Sequence, residues 1–186
     1  MNLPHYFIAV PLPDFIKEQV ASWQVMLKEH LLYKQWTHPD DLHITLKFLG
    51  PVSPGQYQIL SSMLESLQRT EAFTLKTRML GTFGDPDKPR VLWTGVQKQD
   101  ALLNLQQTVA HLTEQAGFQR EKRTYTPHIT LAKKWAGGAR DLSKLNTCDM
   151  EGQTFNVNNV VIYRIYPEKS PKYHKTSAYH LTEEGT

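Results

Sequence analysis

Cysteine is almost absent. Cys148 stands alone among 186 residues, so no disulfide can close within the chain and no cysteine-based zinc site can form. A reducing, cytoplasmic setting fits that usage and is the expectation. Long apolar runs are missing too: no stretch approaches the roughly 20 residues a bilayer-spanning helix needs. The short apolar segment between Met1 and Leu12 has no basic leader and runs into Pro11 and Pro13, which marks a first strand, not a secretory signal. Neither sign of charge dominates. With 21 basic and 18 acidic residues the formal charge is +3, which permits an anionic partner without the strongly basic balance of a sequence-independent duplex binder. There is no low-complexity tract and no linker rich in Pro, Gly or Ser. One domain over residues 1–186 is expected, and a monomer, since no coiled coil or exposed apolar helix stands out. What is present is ordinary for a globular protein, 40% hydrophobic and 21% charged residues, enough for one substantial core.

The coarse pattern alternates strands and helices. Tyr6–Val10 reads as a buried strand. Asp14 can cap a helix reaching about Leu32, with Phe15, Val20, Trp23, Leu27 and Leu31 along one stripe. A turn at Pro39-Asp40-Asp41 precedes a strand from His43 to Leu49, and Ser53-Pro54 opens a second helix to about Gln68. Phe73–Leu80 and Arg90–Val96 form strands around a Gly-containing loop. A third helix runs from Asp100 to Gln115 and stops at Gly117. A further strand starts at His128 and breaks at Gly137-Gly138. One long strand is predicted over Phe155–Tyr166, and a last one near Tyr173–Leu181.

The tetrapeptide His-Ile-Thr-Leu occurs twice, as His43-Ile44-Thr45-Leu46 and His128-Ile129-Thr130-Leu131. Side chains alternate faces along a strand. Each copy therefore buries an aliphatic pair and presents an imidazole and a hydroxyl together. The order strand–helix–His strand also occurs twice, over Tyr6–Leu49 and Val91–Ala132. This suggests a duplicated unit of roughly eighty-five residues, with halves of about 1–70 and 71–186, and not a short-period solenoid. Two similar halves packed about a pseudo-two-fold axis would bring the equivalent strands together at a groove.

Two imidazoles and two hydroxyls around one small anion suit phosphodiester hydrolysis. Histidine can take a proton from water or give one to a departing oxygen, because its ordinary pKa lies near 6.5. Threonine hydroxyls can donate to the non-bridging oxygens where charge accumulates. No metal or other cofactor is needed for this scheme. A lone His-x-Thr on a strand is ordinarily a packing or surface pattern, and Thr45 and Thr130 alone would be unremarkable strand formers. Two matched copies reverse that weighting. Lys47 shares the parity of His43 and Thr45 and could add a charge, although a solvated strand end is the plainer reading. His38, Asp40, Asp41 and His43 could suggest a metal site, but Asp is expected in a Pro-containing turn and no partner cluster flanks His128. His5, His30, His111, His174 and His180 have no repeat context. Tyr125, Trp93 and Tyr173 could stack on a base, with packing the plainer role.

The segments His43-Ile-Thr-Leu-Lys-Phe-Leu-Gly50 and Pro127-His-Ile-Thr-Leu-Ala132 resemble the two signature motifs of the two-histidine (2H) phosphoesterase superfamily. Within it the chain resembles the bacterial RNA 2′,3′-cyclic phosphodiesterases, also called 2′-5′ RNA ligases. Phe7-Ile-Ala-Val-Pro-Leu12, Gly81-Thr-Phe-Gly84 and Pro89-Arg-Val-Leu-Trp93 support the match. The resemblance implies an α+β fold of two pseudo-symmetric lobes of antiparallel sheet with flanking helices around a central cleft. It implies conversion of a 2′,3′-cyclic phosphate at an RNA end to a 2′-phosphate. His43 would protonate the leaving 3′ oxygen, His128 would activate water, and Thr45 and Thr130 would hold the phosphate. The same pair could join a cyclic end to a 5′-hydroxyl. Family members often carry arginine where this chain has Lys133, which keeps the charge without the bidentate fork. Strand parity turns position 133 away from His128 unless a bulge intervenes. The rival readings are a non-catalytic RNA- or nucleotide-binding module, a phosphodiesterase for small cyclic nucleotides or 2′-5′ oligomers, and a metal hydrolase using Asp40-Asp41.

Overall fold

A computed structural model describes residues 3–138 and 152–183; Cys148 lies outside them. The order of elements is β1 (His5–Pro11), α1 (Asp14–Lys28), β2 (Leu31–Trp36), a 3-10 turn (Pro39–Asp41), β3 (His43–Pro51), α2 (Pro54–Leu64), a 3-10 turn (Glu65–Arg69), β4 (Phe73–Asp85), β5 (Lys88–Val96), α3 (Asp100–Gln115), β6 (His128–Gly138), β7 (Thr154–Val157), β8 (Asn159–Ile165) and β9 (Tyr173–His180). The strands form one antiparallel sheet in the order β7-β4-β5-β6-β3-β1-β8-β9, with β2 also paired to β6. The fold is α+β, as the resemblance implies. Only Asn158 separates β7 from β8, yet those strands lie far apart along the hydrogen-bonded path, so the sheet must curl. That explains why a single long strand over 155–166 does not form: the chain changes sheet edge at Asn158.

The two His strands pair with each other at the centre, through Ile44 and Ile129. β1, β3, β8 and β9 lie to one side, and β4 to β7 to the other. The lobes interleave the sequence, because the late strands β8 and β9 complete the side begun by β1, and the early strand β2 joins the side of β6. From Tyr6 to Val10 β1 is buried, because both its faces are covered. Ile8 and Val10 enter the main core beneath the helices, while Phe7 and Ala9 join a smaller cluster with Val161 and Tyr163. Ile44, Ile129 and Leu131 are fully buried in the main core, and each contributes about 1.5–3 kcal/mol relative to exposure.

Several local expectations change. α1 ends at Lys28, and Leu31–Trp36 is a strand, buried at Leu31 and Tyr33. Leu31 continues the helical stripe, so the 3.6-residue period hides the strand. The buried stripe of α1 uses Ile16 where Phe15 was expected; Phe15 is exposed. Asp14 is the first helical residue, not the cap, and accepts from Lys17. Ser53 does cap α2, in a reciprocal box with Gln56.

Candidate active site

His43 opens β3 and His128 opens β6, and the alternation anticipated from sequence holds over both tetrapeptides. His43 and Thr45 are half-buried on the cleft side while Ile44 and Leu46 are buried; His128 and Thr130 repeat the pattern over Ile129 and Leu131. Both rings are anchored the same way. His43 Nδ1 lies 2.7 Å from the Asp41 carbonyl oxygen and His128 Nδ1 lies 2.6 Å from that of Thr126. A carbonyl only accepts, so each Nδ1 carries a hydrogen. The neutral rings then hold Nε2 as an acceptor. At His43 this nitrogen takes the hydrogen of the Thr45 hydroxyl, 3.0 Å away. Neutral histidine is also the favoured state at both positions. Burial lowers the His43 pKa to about 4, helped by the charges of Lys133 and His128, and burial followed by Lys133 lowers that of His128.

Both strands also carry a bulge at the same place. Thr45 pairs with Ala9 and Lys47 with Ile8, leaving Leu46 without a partner; Thr130 pairs with Trp93 and Ala132 with Leu92, leaving Leu131 without one. An extra residue reverses the faces that follow. Lys47 therefore leaves the cleft. It is 7% exposed, and its ammonium donates to the carbonyl of Gln119. It is neither a cleft residue nor a solvated strand end. Phe48 takes the cleft position on β3 and Lys133 takes it on β6. Each bulge is held by a glutamine from a helix. Gln24 of α1 donates to the Leu131 carbonyl at 2.9 Å, and Gln106 of α3 to the Leu46 carbonyl at 3.5 Å.

The cleft has a volume of about 140 Å³. Its polar lining is His43, Thr45, Thr130, Lys133 and Thr37, and Phe7, Phe48, Ile165 and Tyr173 form the apolar wall. His128 stands close enough to His43 for their charges to repel, against the rings of Phe83 and Trp93 at 4.8 and 6.0 Å. Tyr173 packs against the smaller core cluster and lines the cleft, its ring meeting that of His43 edge-on at 5.3 Å. Tyr125 packs on the core and its hydroxyl donates to the Thr45 carbonyl at 3.1 Å. The Asp40-Asp41 pair does not present a chelating face. Asp41 is 5% exposed, and its two carboxylate oxygens accept the backbone N–H groups of Lys172 and Tyr173 at 2.8 and 2.9 Å. His5, His30, His111, His174 and His180 are exposed and line no part of this cleft.

Sequence pattern did not find Thr37, Phe48, Ile165 or the cleft position of Lys133. The bulges moved two of them, and Thr37 and Ile165 lie outside the repeated tetrapeptides.

Paired histidines on adjoining strands, each with a hydroxyl two residues on, define a two-histidine phosphoesterase. Residues 12–166 match the family model described as the 2′-5′ RNA ligase superfamily, and the chain belongs to that family. It is 37% identical over 183 residues to the RNA 2′,3′-cyclic phosphodiesterase of Geobacillus stearothermophilus, covering 97% of this chain and 58% of that protein. It is 36% identical to the RNA 2′,3′-cyclic phosphodiesterase of Bacillus subtilis (strain 168), covering 96% and 97%. The crystal structure of E. coli LigT in its apo form shares the fold, with a TM-score of 0.76, 24% identity, and 98% and 99% of the two chains covered.

Proposed function

We propose that the cleft binds the 2′,3′-cyclic phosphate at an RNA end and opens it to a 2′-phosphate, by acid–base catalysis between His43 and His128. The observation that carries this is the matched anchoring of the two rings, which fixes both Nδ1 hydrogens and leaves each Nε2 to exchange a proton. Water attacks phosphorus and gives its proton to His128. The bond from phosphorus to the 3′ oxygen breaks, and that oxygen takes a proton from His43. The hydroxyls of Thr45 and Thr130 donate to the non-bridging oxygens, where negative charge grows. A 5′-hydroxyl in the place of water would give a 2′-5′ linkage by the same transfers.

Burial, and then the charge of Lys133, discourage protonation of His43. An anionic phosphate in the cleft supplies the opposite charge that favours the imidazolium, so substrate itself loads the acid. No step calls for a metal ion. Among the described residues no helix is long and apolar enough to cross a membrane, and a reducing cytoplasm suits the single cysteine.

The test is incubation of the protein with an oligoribonucleotide ending in a 2′,3′-cyclic phosphate, with EDTA present. A 2′-phosphate product is expected. Absence of turnover, or turnover only on adding metal, overturns the proposal; tight binding without turnover would favour a binding module.

A further inference from the structure

A second cleft, of about 120 Å³, adjoins the first and shares Thr37, Lys133 and Tyr173 with it. Beyond those residues it is lined by Gln35, Trp36, His38, Asp41, Ser170 and Lys172. Two ammonium groups therefore face one small space. Among the described residues neither Lys133 nor Lys172 makes an ion pair with a carboxylate. The carboxylate in the lining, Asp41, is buried and already accepts two backbone N–H groups, one of them from Lys172 itself. Lys133 senses the second ammonium, whose charge adds to burial in lowering its pKa. Two like charges beside each other, neither ion-paired and with the one lining carboxylate engaged by backbone N–H groups, favour binding of an anion.

We propose that this second cleft receives the phosphate on the 5′ carbon of the terminal ribose, with Lys172 as its main contact. The proposal rests on the reading of the first cleft as the cyclic-phosphate site. With the cyclic phosphate held at His43 and Thr45, the next phosphorus of an RNA chain is the 5′ one of the same ribose, a single sugar away. A shared wall is the spacing such a pair requires. The site would distinguish a nucleotide within an RNA chain from a bare nucleoside cyclic phosphate, and it would do so by charge without reading the base.

The test compares kcat/KM for adenosine 2′,3′-cyclic phosphate, the same compound with a 5′-phosphate, and the dinucleotide ApA with a cyclic end. In the wild type both 5′-substituted compounds are expected to exceed the nucleoside by about tenfold, the range of one exposed charge-assisted contact. In K172M that ratio falls toward one. A wild-type ratio near one, a ratio that survives K172M, or a gain confined to the dinucleotide overturns the proposal; the last would indicate stacking. Failure of the cyclic-phosphate reading is separate, since no compound would turn over. Calorimetry would then still decide: wild type should bind adenosine 2′,5′-bisphosphate about tenfold tighter than adenosine 2′-phosphate, K172M should not, and equal affinities in the wild type overturn the site.

Discussion

The strands that bear His43 and His128 share four residues, one bulge and one way of tethering an imidazole, and then diverge. After the bulge β3 continues Lys47-Phe48 and β6 continues Ala132-Lys133. The first residue of each pair is turned into the core and the second into the cleft. One side of the cleft thus receives a ring that is 57% exposed and the other an ammonium. The surroundings of the imidazoles differ as well. His43 lies among Phe7, Tyr163 and Tyr173, His128 against Phe83 and Trp93. What the halves hold in common is suited to proton transfer. What they do not share sets how readily each ring is charged and what else the substrate meets.

The comparison can be broken most severely at the rings. His43→Ala and His128→Ala should each lose about 10²–10⁴ in kcat, the usual worth of one proton transfer, and the double variant should be little worse than either, because residues acting as a unit are not additive. Multiplicative losses in single-turnover assays would mean that the two halves work independently. Next in size is the tether. Asp41→Ala strands the N–H groups of Lys172 and Tyr173 and should cost about 1–3 kcal/mol in denaturant unfolding. Thr126 has no such buried carboxylate, so Thr126→Ala should leave the unfolding midpoint nearly unchanged, and equal losses would contradict the asymmetry.

Smaller effects separate the two lysines. Both histidines have pKa values below the ordinary 6.5, so the bell of kcat/KM against pH, which reports the free enzyme, should peak on the acid side of that value. Lys133 disfavours the imidazolium of each ring. Removing its charge in Lys133→Met raises both values, and both limbs should move to higher pH. Lys47→Met should leave the pH profile where it is, since that side chain faces Gln119. A shift in the Lys47 variant, or none in the Lys133 variant, would reverse the assignment of faces.

Much of the catalytic proposal was legible in the sequence, because His43, Thr45, His128 and Thr130 obey a period of two and recur in matched context. The period fails one residue later. An inserted residue in a ladder has no signature in hydrophobicity when it is itself a leucine, so the bulge at Leu46 was invisible, the one before Lys133 entered only as a condition, and the parity that Lys47 shares with His43 did not hold. The dependence of each bulge on a glutamine from a distant helix was equally hidden, for Gln24 and Leu131 are 107 positions apart. β2 was lost because Leu31 satisfies a helical stripe. The break at Asn158 was lost because strand pairing, not local preference, decides it.

The late position of β8 and β9 also bears on the order in which a ribosome makes the protein. Ile165 and Tyr173 reach the cleft from strands that follow the second histidine motif by some forty residues, and Lys172 immediately precedes β9. A nascent chain that has already exposed His43 and His128 still lacks one wall of the pocket and the anchor for Asp41. Long-range pairing of this kind forms slowly, so activity should arise only once β8 and β9 have been made and paired.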